Sequence, residues 1–214
     1  AAGNRTGTLL NGLLHYCPDL INIPRAGIVH RLDKNTTGLM VVAKTLQAHA
    51  DLVEQLQART VSREYEAIAS GVMTGGGVVE AAIGRHPKQR QKMAVVETGG
   101  KEAITHYRVA QRFASHTHIR LKLETGRTHQ IRVHMSHIGY PLVGDTAYGG
   151  RFKIPKNTSE DLLDAIRDFG RQALHAKCLG LIHPATREYM EWDSELPDDI
   201  QNLLVALANN DNEQ

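Results

Sequence analysis

The chain is short of cysteine, has no long apolar run, and carries no lysine or arginine beyond Arg187. Each absence removes a class of protein. Two cysteines, Cys17 and Cys178, make neither a disulfide framework nor a metal cluster. A reducing cytoplasm suits that usage. No apolar stretch approaches the roughly 18 residues that span a bilayer, so no membrane partner is expected. The opening Ala1-Ala2-Gly3-Asn4 lacks the regions of a secretory signal. It also lacks an initiator methionine, which suggests a fragment of a longer chain. There is no internal repeat and no low-complexity tract.

What is present is unevenly charged. Residues 1–187 hold all 25 basic side chains against 15 acids, whereas residues 188–214 hold eight acids. A basic body points to a polyanionic partner such as nucleic acid. A length of 214 residues, 41% apolar and 22% charged, fits one soluble α+β domain.

Periodicity gives a coarse frame. Ile28-Val29 and Leu39–Ala43 read as two buried strands. Residues 48–58 have helical spacing at Leu52, Val53 and Leu56. In 64–69, alternation puts Tyr65, Ala67 and Ala69 on one strand face. Residues 118–124 alternate cleanly and read as a half-wet strand. Ile131, Met135 and Ile138 then follow at helical spacing, and Gly139-Tyr140-Pro141 stops that helix. Residues 162–169 and a segment opening at Pro197-Asp198 are further helices. Strands and helices mix without regular βαβ repetition, so α+β is favoured over a doubly wound sheet.

Between the first two strands sits a polar knot, His30-Arg31-Leu32-Asp33-Lys34-Asn35. With Asp168-Phe169-Gly170 it hints at a kinase, but the order is wrong. Val42-Ala43-Lys44 follows the His-Arg element, and no glycine-rich phosphate loop precedes Asp33. His129, His134 and His137 hint at metal, yet no His-Glu-x-x-His pattern and no nearby cysteine support it. They read as solvated or RNA-facing. Arg127, His129, Gln130 and Arg132 cluster with no acid among them; such a group can bind phosphate or pair with a buried carboxylate. The acid-free runs Arg85–Lys92 and Arg151–Lys156 read as loops that could clamp a nucleic-acid backbone.

Taken together, "HRLDKNTTGLMVVAK" (30–44), "REYEAI" (63–68), "GRTHQIRVHM" (126–135), Tyr140–Asp145 with Tyr148-Gly149-Gly150, and Leu174-His175-Ala176 with His183-Pro184 resemble, in order, the motifs of the RluA-type pseudouridine synthases. That family isomerises uridine in RNA: the base leaves its N-glycosidic bond, turns, and rejoins through carbon 5. The resemblance implies a mixed, largely antiparallel sheet with flanking helices and a central basic cleft. It implies no metal and no cofactor. It implies an RNA partner, large-subunit ribosomal RNA or its precursor particle, for a cytoplasmic, monomeric enzyme.

It also implies roles. Asp33 matches the essential aspartate, acting as nucleophile toward the sugar or as the base that opens a glycal route. Either role needs a carboxylate, hence a cationic partner; Arg132 matches that partner, with Arg127 next in line. Tyr65 matches the aromatic residue that stacks on the target base. Arg31 fills the gap left by the flipped nucleotide or meets its phosphate. Arg127 and His129 are expected at the substrate. Leu174 or Ile131 walls the uracil pocket, and Thr37 bonds the loop backbone that presents Asp33. One departure stands out: the "NKPxGxxxHP"-like segment usual in the family is missing. Residues 1–214 are therefore read as a catalytic domain without its N-terminal strand segment or an N-terminal RNA-binding module.

Overall fold

A computed structural model describes residues 4–150, 154 and 158–212. Helix α1 (Leu9–Tyr16) starts at a reciprocal capping box between Thr8 and Asn11. Two 3-10 turns, Pro18–Asn22 and Pro24–Gly27, lead to the polar knot. Next come β1 (Thr37–Gly38), α2 (Leu46–Gln57, N-capped by Thr45) and β2 (Ser62–Ser70). They are followed by β3 (Gly77–Glu80), β4 (Ile83–Arg85), β5 (Met93–Val95), β6 (Ile104–Arg112) and β7 (His116–Leu123). The chain ends with α3 (Gln130–His137), α4 (Glu160–Asp168), β8 (Leu174–Ile182), β9 (Tyr189–Asp193) and α5 (Asp198–Asn212).

Seven strands form one sheet in the order β1-β8-β2-β7-β6-β3, and β9 pairs with β8. Only β1 with β8 is parallel among these pairings. β1 and β9 divide one edge of β8: β1 lies beside His175 and Ala176, and β9 beside Cys178–Ile182. The mixed, largely antiparallel sheet of an α+β fold, expected from the sequence, is thus what the chain forms. β4 and β5 make a separate hairpin whose tip is the basic run 86–92.

β2 is central because it is covered on both faces. Tyr65, Ala67 and Ala69 join Ile119, Leu121, Ile131, Met135 and Leu174 in the main core under α3. Ile68 points the other way, into a second core with Leu162 and Ile166 of α4 and Leu203 and Leu207 of α5. Ile68 and Ile119 are fully buried. Each such side chain stabilises by roughly 1.5–3 kcal/mol.

Two readings of the sequence are corrected. Residues 28–29 and 39–43 are not two buried ladder strands. They are half-buried extended segments joined by the isolated bridge Ile28–Val42. Their backbone groups find other partners: the Val41 amide donates to His30 Nε2 (3.1 Å) and the Ala43 amide to the Gly27 carbonyl (2.9 Å). His134 is not solvated. It is buried, with Nδ1 at 2.9 Å from Thr105 Oγ1 and Nε2 at 2.9 Å from the Ala81 carbonyl. Phe169 of the kinase-like tripeptide is a core residue after α4. The basic run Arg151–Lys156, apart from Ile154, lies outside the described residues.

Candidate active site

The polar knot is held from outside itself. Gln172 Nε2 donates to the Lys34 carbonyl (2.7 Å) and to Thr36 Oγ1 (2.9 Å), and Arg171 Nη1 donates to the Asn35 carbonyl (3.1 Å). Thr37 does not bond the loop backbone as expected. Its hydroxyl sits 2.9 Å from His175 Nδ1, and strand alternation leaves Thr36, not Thr37, on the cleft wall. At Gly38, φ is +107° and a Cβ would stand 2.2 Å from the Ala176 carbonyl oxygen. Gly38→Ala is therefore expected to cost more than about 1 kcal/mol. Thermal unfolding checks this, and an unchanged midpoint would contradict the tight seating of β1 on β8.

His30 is half-buried, and its pKa is lowered to about 4 by loss of solvent and then by the Arg63 guanidinium. A neutral ring suits its role as acceptor for the Val41 amide.

Asp33 is presented into a cleft of about 570 Å³ bounded by the knot, α2, β2 and the β7–α3 turn. Arg132 reaches it through Nη1, 3.3 Å from Asp33 Oδ2. The shorter bonds of Arg132 go elsewhere. Nε lies 2.7 Å from Asp145 Oδ2 and Nη2 lies 2.9 Å from Asp145 Oδ1. Asp145 is fully enclosed and also accepts the Ala147 and Tyr148 amides, each at 3.0 Å. This bidentate grip fixes the guanidinium plane and leaves Nη1 for Asp33. Burial disfavours the Arg132 cation, but the bonds and charge of Asp145, backed by Asp33, outweigh it and raise its pKa.

His129 opens α3 in the left-handed region, with φ 57°. That turn aims Nε2 at Asp33 Oδ1, 4.0 Å away, and Nδ1 at the Tyr148 hydroxyl, 2.7 Å away. The Tyr148 oxygen already accepts the Met93 amide (3.0 Å), so its own hydrogen donates to Nδ1. The Nε2 proton then faces Asp33, a tautomer that follows from the network. Burial lowers the His129 pKa against the pull of Asp33, so the ring is neutral near pH 7. The Tyr148 ring also carries the Arg132 guanidinium 5.0 Å from its centroid.

Tyr65 is buried in the cleft floor. Burial pushes its phenol up to about 12, with Arg63 opposing and Asp33 adding to the shift. Leu174 and Ile131 are buried beside it, and Arg31 is exposed on the rim. Arg127 lines the same cleft but does not pair with Asp33. Its Nε donates to the Glu102 carbonyl (2.8 Å), and its amide donates to Gln130 Oε1 (2.9 Å). The structure therefore gathers Asp33, Tyr65, His129, Arg31, Arg127 and Leu174 at one cleft, with Arg132 touching Asp33 from outside the lining, and leaves Thr37 out of it.

The sequence reading gave no role to Asp145, Tyr148, Gln172 or Arg63. Asp145 and Tyr148 stand in a motif quoted whole. Arg63 precedes Tyr65 by two, the spacing that puts both side chains on one strand face.

The profile of the RNA pseudouridylate synthase family matches residues 18–137. Ribosomal large subunit pseudouridine synthase D of Pseudomonas aeruginosa is 67% identical over 207 residues, covering 97% of this chain and 64% of that protein. The Escherichia coli protein of the same name is 58% identical, covering 96% of this chain and 63% of its own length. The chain thus spans just under two thirds of these curated relatives. The structure of human RNA Pseudouridylate Synthase Domain Containing 4 superposes with a TM-score of 0.68 at 30% identity, over 85% of this chain and 75% of that one. On the profile and the superposition alike, the chain belongs to the RNA pseudouridylate synthase family.

Proposed function

We propose that the chain isomerises uridine to pseudouridine in RNA, large-subunit ribosomal RNA in particular, with Asp33 as the residue that acts on the sugar. The observation that carries this reading is Asp33 itself: a carboxylate 13% exposed, 3.3 Å from Arg132, in a cleft that Tyr65 floors. The names of the relatives support ribosomal RNA as substrate. Residues 1–214 are read as the catalytic domain, acting in the cytoplasm as a monomer.

The chemistry follows from the placement. A uridine leaves its stack at a cost of a few kcal/mol. Stacking of the base on Tyr65 returns roughly 1–3 kcal/mol. The exposed Arg31 at the rim suits the backbone phosphate. Asp33 then either bonds to C1′ or removes the C2′ proton; in both routes the C1′–N1 bond breaks and its electron pair stays on the uracil. The base turns and C5 bonds to C1′, as the Asp33–C1′ bond breaks in the first route or as Asp33 returns the proton to C2′ in the second; N1 then gains a proton and C5 loses one. No atom is gained or lost overall, so no oxidant or energy source is required.

Tritium release from C5-labelled large-subunit ribosomal RNA tests the reading, with release expected. A chain that binds this RNA but releases no tritium and forms no pseudouridine would refute it. Tyr65→Phe is expected to keep most of the stacking. Tyr65→Leu should lose about 1–3 kcal/mol of it, roughly 5- to 150-fold in kcat/KM. Equal activity of both variants with the parent would remove Tyr65 from the base site.

A further inference from the structure

Arg63 is a cation of β2 that the mechanism so far leaves unused, and its surroundings are unusual. The residue is only 8% exposed. Nη2 donates to the Glu124 carbonyl at 3.1 Å, while Nε is buried with no hydrogen-bond partner among the described residues. Nη1 lies over Gly126, where a Cβ would stand 2.7 Å from it, so the lack of a side chain there gives the guanidinium its room. Its electrostatic neighbours are Tyr65 and another cation, Arg127; among the described residues no carboxylate pairs with it. Arg132, equally buried, has two carboxylates. A buried, uncompensated guanidinium is costly to hold. Here it lines the cleft beside the tyrosine that floors it.

We infer that Arg63 is a catalytic residue whose cation meets the negative charge that forms on the uracil when its glycosidic bond breaks. The inference rests on the proposed isomerase reading and deepens it. Both routes open to Asp33 release the base as an anion, with the N1 electron pair delocalised onto the O2 and O4 oxygens. Arg63 and Tyr65 project from the same face of β2, one side-chain repeat apart, roughly 6–7 Å along the strand. A base stacked on Tyr65 therefore presents its edge to Arg63. The uracil is neutral on arrival and charged only after bond breaking begins, so the cation favours the transition state over the bound substrate. A backbone phosphate fits the position less well. It arrives fully charged, and Arg31 offers it an exposed cation at the rim.

The test compares the parent chain, Arg63→Gln and Arg63→Lys in single turnover on ribosomal RNA carrying uridine or 5-fluorouridine. Fluorine withdraws electrons and makes the base a better leaving group. Loss of 5-fluorouridine from digested RNA also reads bond cleavage alone, because C5 has no proton to lose. Arg63→Gln is expected to slow pseudouridine formation by about 100-fold or more. Its RNA affinity should stay within about twofold, and its thermal midpoint should be unchanged or higher, since a costly charge has gone. Its deficit should shrink several-fold on 5-fluorouridine, and Arg63→Lys should recover part of the rate. Equal loss on both substrates, with weaker binding and a salt dependence shallower by about one phosphate, would overturn the inference in favour of a phosphate contact. A lower thermal midpoint with unchanged cleavage would overturn it in favour of a structural role. A parent chain that makes no pseudouridine overturns the isomerase reading as well. A parent that does, matched by Arg63→Gln, overturns only the role of Arg63.

Discussion

Asp33→Asn is expected to fold as the parent does, to bind RNA within about twofold of it, and to form no pseudouridine, a loss on the order of 10⁴-fold or more. The amide keeps the volume of the carboxylate and can still accept a hydrogen bond from Arg132 Nη1. What it cannot do is attack C1′ or take a proton from C2′. The stability of the fold does not hang on this carboxylate, because Arg132 keeps its two bonds to Asp145 at 2.7 and 2.9 Å. Tritium release and filter binding, measured side by side, separate the two properties. Turnover within tenfold of the parent would end the case for Asp33 as the reacting group. It would return the chain to the class of RNA-binding factors on a shared fold.

Asp145→Asn is expected to be the more damaging change to the fold. Asp145 accepts four hydrogen bonds in full enclosure, two from Arg132 and two from backbone amides. An amide cannot accept them all, and its NH2 group would face the guanidinium. Stripping one partner from a buried ion pair costs about 3–5 kcal/mol. For a chain of this length that is a fall of roughly 6–20 °C in Tm. Activity should fall too, because Nη1 loses the grip that aims it at Asp33. Adding Arg132→Met should recover much of the lost stability and none of the activity. The two changes share one contact and should not add. A double variant no more stable than Asp145→Asn would show that the pair is not the unit that matters.

The elements that could be read in the sequence are those with an uninterrupted period. β7 alternates without a break, and α3 keeps its apolar spacing to the Gly139-Tyr140-Pro141 stop. β2 was legible because Tyr65, Ala67 and Ala69 share a face. β8 was not read as a strand. A bulge opposite Glu64 and Tyr65 puts Lys177 and Cys178 out of step, so its alternation fails midway. β6 slips register between Val109 and Gln111 for the same reason. β9 is exposed throughout and has no buried face to betray it. Residues 39–43 erred the other way: an apolar run looked like a ladder strand, but only the Leu39 amide reaches the sheet, at the Ala176 carbonyl, while those of Val41 and Ala43 go to a histidine ring and a distant turn.

The candidate site divides along similar lines. Motif order could suggest Asp33, Tyr65 and Arg132, and the pairing of Arg132 with Asp33, but not the acid that holds Arg132 in place. Nothing in "GRTHQIRVHM" says that Arg132 gives its best geometry to Asp145. Arg63 looked like any strand arginine, solvated by default. Only burial without a carboxylate makes it notable, and burial is a property of the assembled fold.

The clamp on the polar knot also sets a time order for synthesis. Gln172 holds the Lys34 carbonyl across 138 residues of sequence, and Arg132 meets Asp33 across 99. Chains emerge from the ribosome N-terminus first. Asp33 is therefore made long before the parts that aim it, and a nascent chain that ends short of Gln172 has this carboxylate without its mount. On the proposed reading, Asp33 stays unaimed until Arg132 and Gln172 have been made and have folded against it.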